Sequence, residues 1–126
     1  MAKQQIQTDQ APTPGGPYSQ GLRVGDFIFV AGQGGANPQT RQMGATIEEQ
    51  TKQALENVKA ILEAGGASMA DVVKSTVHLS DMSLFARFNA VYTTYFPDPK
   101  PVRTTVGSTL PNMLVEIDVI AYVGKE

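Results

Sequence analysis

The chain has no cysteine, no tryptophan and a single histidine in 126 residues. Without cysteine there is no disulfide, no thiolate metal site and no thiol nucleophile, and the redox state of the compartment leaves no mark. One histidine, His78, cannot build an imidazole metal cluster, and the acidic residues fall in no calcium-loop spacing, so no metal is expected. Charge is sparse too: 17% of residues are charged and the net charge is −2. The basic residues are scattered, with no basic run interleaved with aromatics, which argues against nucleic acid as a partner. Long apolar runs are also missing. Met1 to Gln10 carries Lys3 but no apolar segment of signal-peptide type, and nothing approaches membrane-spanning length, so a cytoplasmic protein is expected.

What remains is an ordinary globular composition, 41% apolar, at a length that forms one domain over residues 1–126 around one substantial core. The informative stretch runs from Pro101 to Ala121. With a period of two, its second half places Val115, Ile117, Val119, Ala121 and Val123 on one face and Leu114, Glu116, Asp118, Ile120 and Tyr122 on the other. The first face is core. The second is too acidic for a dry core and too apolar to be left in water, which predicts a surface covered by another subunit. Arg103 opens a strand that runs into the turn region Gly107 to Asn112, and a hairpin there would bring it near Glu116. A planar guanidinium suits bidentate binding of a carboxylate or phosphate, and a partly buried Glu suits proton transfer to or from water. The same two residues also fit a structural ion pair on neighbouring strands, and taken alone they favour that simpler reading.

The rest of the chain supplies the elements. Ala11-Pro-Thr-Pro-Gly-Gly-Pro-Tyr-Ser-Gln20 is an irregular lead-in whose one aromatic, Tyr18, is placed to anchor the loop on the core. Short strands are predicted around Gln20 to Val24 and Phe27 to Ala31, joined tightly at Gly25-Asp26. The loop beginning Gly32-Gln-Gly-Gly lacks the Gly-Lys-Ser/Thr of a phosphate cradle; its glycines instead permit close backbone approach to another chain or to a small ligand. Thr46-Ile-Glu-Glu49 is a capping-box pattern, opening a helix whose apolar stripe of Ile47, Ala54, Leu55, Val58, Ile61 and Leu62 ends at Gly65-Gly66. A strand from Asp71 to Leu79 follows, with Val73, Val77 and Leu79 on one face and Lys74, Thr76 and His78 on the other. On that polar side His78 reads as structural or solvated rather than as a base. The second helix, about Ser83 to Phe96, carries Leu84, Phe88, Val91, Tyr92 and Tyr95 on one stripe and stops at Pro97.

Strand, strand, helix, strand, helix, strand, strand predicts an α+β layer, a mixed sheet with both helices on one face. Five modest strands cannot close on themselves, so copies of the same chain are expected to cover the open face.

Eight pieces then recur in one order: Gly16-Pro-Tyr-Ser-Gln20, Val30-Ala-Gly-Gln33, Gln53-Ala-Leu-Glu-Asn-Val58, Val73-Lys-Ser-Thr-Val77, Phe88-Asn-Ala-Val-Tyr92, Pro101-Val-Arg103, Leu110-Pro111 and Val115-Glu-Ile-Asp-Val-Ile-Ala121. Over nearly the whole chain they resemble the YjgF family, the reactive-intermediate (imine) deaminases known as Rid proteins. The resemblance implies a chorismate-mutase-like single domain, a homotrimer with helices outside and a barrel-like core of sheets, and three clefts between subunits. It implies hydrolysis of imines or enamines, typically 2-imino acids released by pyridoxal-phosphate enzymes, to 2-oxo acids and ammonia, with no cofactor. In that role Arg103 holds the substrate carboxylate, Glu116 positions or activates the attacking water, and Tyr18 lines the cleft from the neighbouring subunit. Asn89, with Ala31 and the backbone around Gly32 and Thr105, completes the pocket.

Departures from the best-known members are local. Ala31 stands where they have Ser, Thr105 where they often have Cys, and the intervals from Arg103 to Pro111 and from Pro111 to Glu116 are each one residue shorter. The turn walling the cleft is therefore altered, which opens the substrate range to a specialised catabolic enamine of the aminomuconate type. A trimer that binds small carboxylates without turnover and an endoribonuclease are the other two classes; the acidic charge argues against the last.

Overall fold

The computed structural model describes residues 2–124. Strands Lys3–Ile6 (β1), Gly21–Val24 (β2), Phe27–Gln33 (β3), Val72–Leu79 (β4), Val102–Gly107 (β5) and Val115–Tyr122 (β6) form one sheet in the order β1-β2-β3-β6-β4-β5. Every neighbouring pair is antiparallel except β4 and β5, which are parallel. Helix Ile47–Ala64 (α1) connects β3 to β4, and helix Phe85–Tyr92 (α2) connects β4 to the parallel β5. This is the expected α+β layer, with one more strand than expected. No described helix is long and apolar enough to cross a membrane.

Local chemistry explains the elements that match expectation. The turn between β2 and β3 is two residues long, and Gly25 takes φ 59°, a conformation glycine adopts without steric penalty. At the start of α1 the Thr46 hydroxyl accepts from the Glu49 amide at 3.1 Å while Glu49 accepts from the Thr46 amide at 3.2 Å, the reciprocal box read from the sequence. Gly66, at φ 88°, takes the left-handed position past its end. Leu55, Val58, Ile61 and Leu62 of α1 are wholly buried with Ile28, Val77, Ile117 and Val119 of the sheet.

Five expectations need correction. The sequence Lys-Gln-Gln-Ile of β1 is too polar to announce a strand, yet it pairs with β2 as a sheet edge, where polar residues are tolerated. β3 runs on to Gln33, so Gly32 is a strand residue at a register irregularity rather than the start of a loop. In β4 the pairing with β6 slips between Val72 and Lys74, which turns Val72 inward and leaves Val73 44% exposed; Ser75, Val77 and Leu79 then form the buried set. The second helix is α-helical only over Phe85–Tyr92, with 3-10 turns at Met82–Leu84 and Thr93–Tyr95. Finally, β5 and β6 form no hairpin, because β4 lies between them.

The face of the sheet away from the helices is bare. Phe27, Phe29, Val73, Val102, Val106 and Tyr122 lie on it at 38 to 67% exposure. They are interspersed with Lys74, Thr76, His78, Glu116 and Asp118, which alternate out of phase with the buried residues of β4 and β6. Six exposed large apolar side chains on one face make a patch that a monomer would leave in water.

Candidate active site

Arg103 sits opposite Ser75 in the β5–β4 ladder, and Ser75 sits opposite Val119 of β6. Ser75 and Val119 are buried, so this row, Arg103 included, points to the helix side of the sheet. There the Arg103 Nη1 donates to Asn89 Oδ1 of α2 at 2.8 Å. The guanidinium carbon lies 4.7 Å from the Tyr92 ring centre, and 5.5 and 5.6 Å from those of Phe85 and Phe88. Tyr92 is fixed in turn by a 2.6 Å hydrogen bond between its hydroxyl and Ser75 Oγ. Burial pushes the Tyr92 phenol above its ordinary range, partly offset by the Ser75 bond and the Arg103 charge, so it is a neutral phenol at neutral pH.

Unlike Arg87, which is paired with Glu48 at 2.7 Å on the surface, Arg103 has no carboxylate partner among the described residues. It opens into a cavity of about 450 Å³ lined by Asn89, Tyr92, Thr93, Lys100, Pro101 and Arg103, none of them acidic. Thr105 continues the same side of β5, and its Oγ1 is buried without a hydrogen-bond partner.

Glu116 lies elsewhere. It pairs with His78, and His78 with Val106, in a row on the bare face. Its carboxylate rests over Gly32: a Cβ there would stand 2.8 Å from Glu116 Cδ and Oε1, so any larger residue would displace the carboxylate from this position. His78 Nδ1 is 2.7 Å from Ser108 Oγ, the structural role expected of it. Asp118, two residues on along the same face, has its carboxyl pushed up by burial, with His78 and Lys74 pulling it partly back.

Tyr18 and Ala31 form a third group. They share a shallow cavity with Gly21, Leu22 and Phe29. Tyr18 is 53% exposed and does not anchor the lead-in on the core as expected. Gln20 does, 2% exposed: its Oε1 accepts from the Thr8 amide, and its Nε2 donates to the Thr8, Ala11 and Pro12 carbonyls.

One chain therefore gathers Arg103, Asn89 and Thr105 on the helix side, Glu116 and Gly32 on the bare face, and Tyr18 with Ala31 beside β2. Sequence reasoning missed Ser75, Tyr92 and Lys100. Tyr92 sat in an apolar stripe and read as core; the available signal was its hydroxyl, which needs a partner when buried.

A single mixed sheet, helices on one side, bare on the other, defines an α+β domain, and at its edge a guanidinium with no ion-pair partner among the described residues opens into a cavity of the size small ligands occupy. The chain belongs to the Endoribonuclease L-PSP family, whose model matches residues 8–123, and this is the family its motifs resemble. It is similar to a RutC family protein of Pyrococcus abyssi, 53% identical over 125 residues, covering 97% of this chain and 98% of the relative. It is also similar to a 2-iminobutanoate/2-iminopropanoate deaminase of Dermatophagoides farinae, 41% identical over 124 residues and covering 96% and 97%. Among solved structures it matches E. coli TdcF with bound serine at a TM-score of 0.90 and 37% identity, covering 94% and 98%.

Proposed function

We propose that this chain is a hydrolytic deaminase of 2-imino acids and their enamine tautomers, acting as a homotrimer with its site between subunits. The observation that carries the reading is Arg103: a half-buried cation, oriented by Asn89 and set against aromatic rings, with no acid paired to it among the described residues. A desolvated charge calls for a counter-charge, and a guanidinium with free parallel donors fits a carboxylate. The deaminase name of the Dermatophagoides relative supports the chemistry.

Glu116 faces the other side of the same sheet from Arg103. A neighbouring subunit packed on the bare face and around the β5 edge supplies Glu116, Gly32 and Tyr18 to the cleft that Arg103 opens. A protonated imine is already a strong electrophile, so the site needs to orient it, deliver water and move protons. Glu116 takes a proton from water as its oxygen bonds to the imine carbon, and the C=N bond becomes single. That proton passes to the nitrogen. The carboxylate then takes the hydroxyl proton as the C–N bond breaks and hands it to the departing ammonia, so iminium plus water gives 2-oxo acid plus ammonium. No step needs a cofactor. An endoribonuclease finds less support, because Glu116 and Asp118 on the bare face and a net charge of −2 offer no track for phosphates.

The test is turnover of enzymatically generated imino acids. Arg103→Ala is expected to lose about thirty-fold to a few thousand-fold in rate or affinity, the cost of breaking a charge-assisted pair. Arg103→Lys should not restore it, since an ammonium is a point charge. Glu116→Gln should still bind 2-oxobutyrate while turnover falls. Full activity in both Arg103→Ala and Glu116→Gln overturns the assignment; full activity in Glu116→Gln alone removes the water-activating role.

A further inference from the structure

Lys100 lines the same cavity as Arg103 and has no part in the chemistry above. Its ammonium donates to the Thr93 carbonyl at 3.0 Å and to the Phe96 carbonyl, at the end of the helical segment. An ammonium has three N–H donors, so one is left over. Lys100 also forms no carboxylate ion pair among the described residues. A cavity of about 450 Å³ with no acidic lining thus presents two cations. Pro101 between them restricts the backbone that sets their relative placement.

We propose that the site selects imino acids bearing a second carboxylate, the first held by Arg103 and the second by Lys100. This rests on the deaminase reading for the first carboxylate and adds the second as the determinant of substrate class. Charge supports it. A protonated imine of a dicarboxylate carries a net charge of −1, which matches Arg103, Lys100 and the Glu116 of a neighbouring subunit taken together. A protonated imine of a monocarboxylate is neutral overall and leaves one cation unmatched.

Calorimetry on the purified protein with 2-oxoglutarate, 2-oxobutyrate and inorganic phosphate tests the inference. Wild type is expected to bind 2-oxoglutarate about tenfold more tightly than 2-oxobutyrate, the size of one charge-assisted hydrogen bond. Lys100→Met should erase that difference, with the loss falling on 2-oxoglutarate far more than on 2-oxobutyrate, and Lys100→Arg should keep it. If Lys100→Met weakens both oxo acids equally, Lys100 is only a cap on the helix end and the inference is overturned. Equal affinity of wild type for the two oxo acids overturns it as well, but leaves the deaminase reading standing. Phosphate binding as tightly as 2-oxoglutarate overturns it too, since the cavity then reads charge alone. If neither oxo acid binds, this inference and the deaminase reading both fall.

Discussion

Arg103 is held from several sides, and each hold predicts a different phenotype. Asn89 fixes one nitrogen of the fork, and the Tyr92 ring centre lies 4.7 Å from the guanidinium carbon. Tyr92→Phe keeps the ring but removes the bond to Ser75, leaving a buried serine hydroxyl unpaired. The expected cost is about 1–2 kcal/mol of stability, together with a KM for imino acid raised a few-fold at nearly unchanged kcat, because carboxylate binding rather than proton transfer is disturbed. A fallen kcat at constant KM would place Tyr92 in the chemistry instead. Asp118 makes a pH prediction. Burial raises its carboxyl in the folded protein, so folding favours the protonated form. That contribution is full below the ordinary carboxylate value of about 4 and is lost as pH rises through the raised folded value. Asp118→Asn mimics the protonated state, and thermal melts should show it more stable than wild type at pH 7 and equal to it at pH 3. Destabilisation at pH 7 would mean that Lys74 and His78 outweigh the burial.

Elements differ in how much of their structure is local. The Thr46 box and Gly66 decide both ends of α1 within a few residues, so Thr46→Ala should cost about 1 kcal/mol and lower Tm by about 4 °C. Since none of the residues lining the Arg103 cavity belongs to α1, activity at 25 °C should be retained; lost activity without unfolding would contradict that separation. β4 is the opposite case. Its β-branched residues announce a strand, but the slip at Val72 that exposes Val73 is a property of its pairing with β6, invisible in the residues of β4 alone. The second helix reads longer from its apolar stripe than it is, because 3-10 turns at Met82–Leu84 and Thr93–Tyr95 carry the same stripe past both ends of the α-helical part.

For the whole molecule, the bare face and the split site make a joint prediction. Sedimentation at micromolar concentration should show a trimer, and Phe29→Glu, which puts a charge in the exposed apolar face, should shift it toward monomer with loss of activity. A stable wild-type monomer would contradict the assembly. Because Arg103 and Glu116 occupy opposite faces of one sheet, Arg103→Ala and Glu116→Gln subunits should complement each other. Unfolded together and refolded as mixed trimers, two inactive variants should regain about a quarter of wild-type activity, the share of clefts that receive both intact residues in a cyclic trimer. No regain would put the two residues in one subunit's site.

The sequence by itself determined what short-range chemistry decides: α1 and its caps, the Gly25 turn, the alternation of β6, the single-layer α+β class and the mixed face that needs covering. It also singled out Arg103 and Glu116 as candidates for holding a carboxylate and moving a proton, although residue type alone favoured a structural pair. Which strands would be neighbours lay outside it. A period of two tells which side of a strand faces the core but not what lies beside it, so a β5–β6 hairpin and the observed order satisfy the same pattern. Tertiary packing chose between them. β4 and β6 each bury four residues, whereas β5 buries none, so the two richest strands took the paired interior of the helix-covered sheet and β5 was left at its edge. That placement turned Arg103 toward α2, where Tyr92 and Lys100 came to meet it, and left Glu116 on the far side of the sheet.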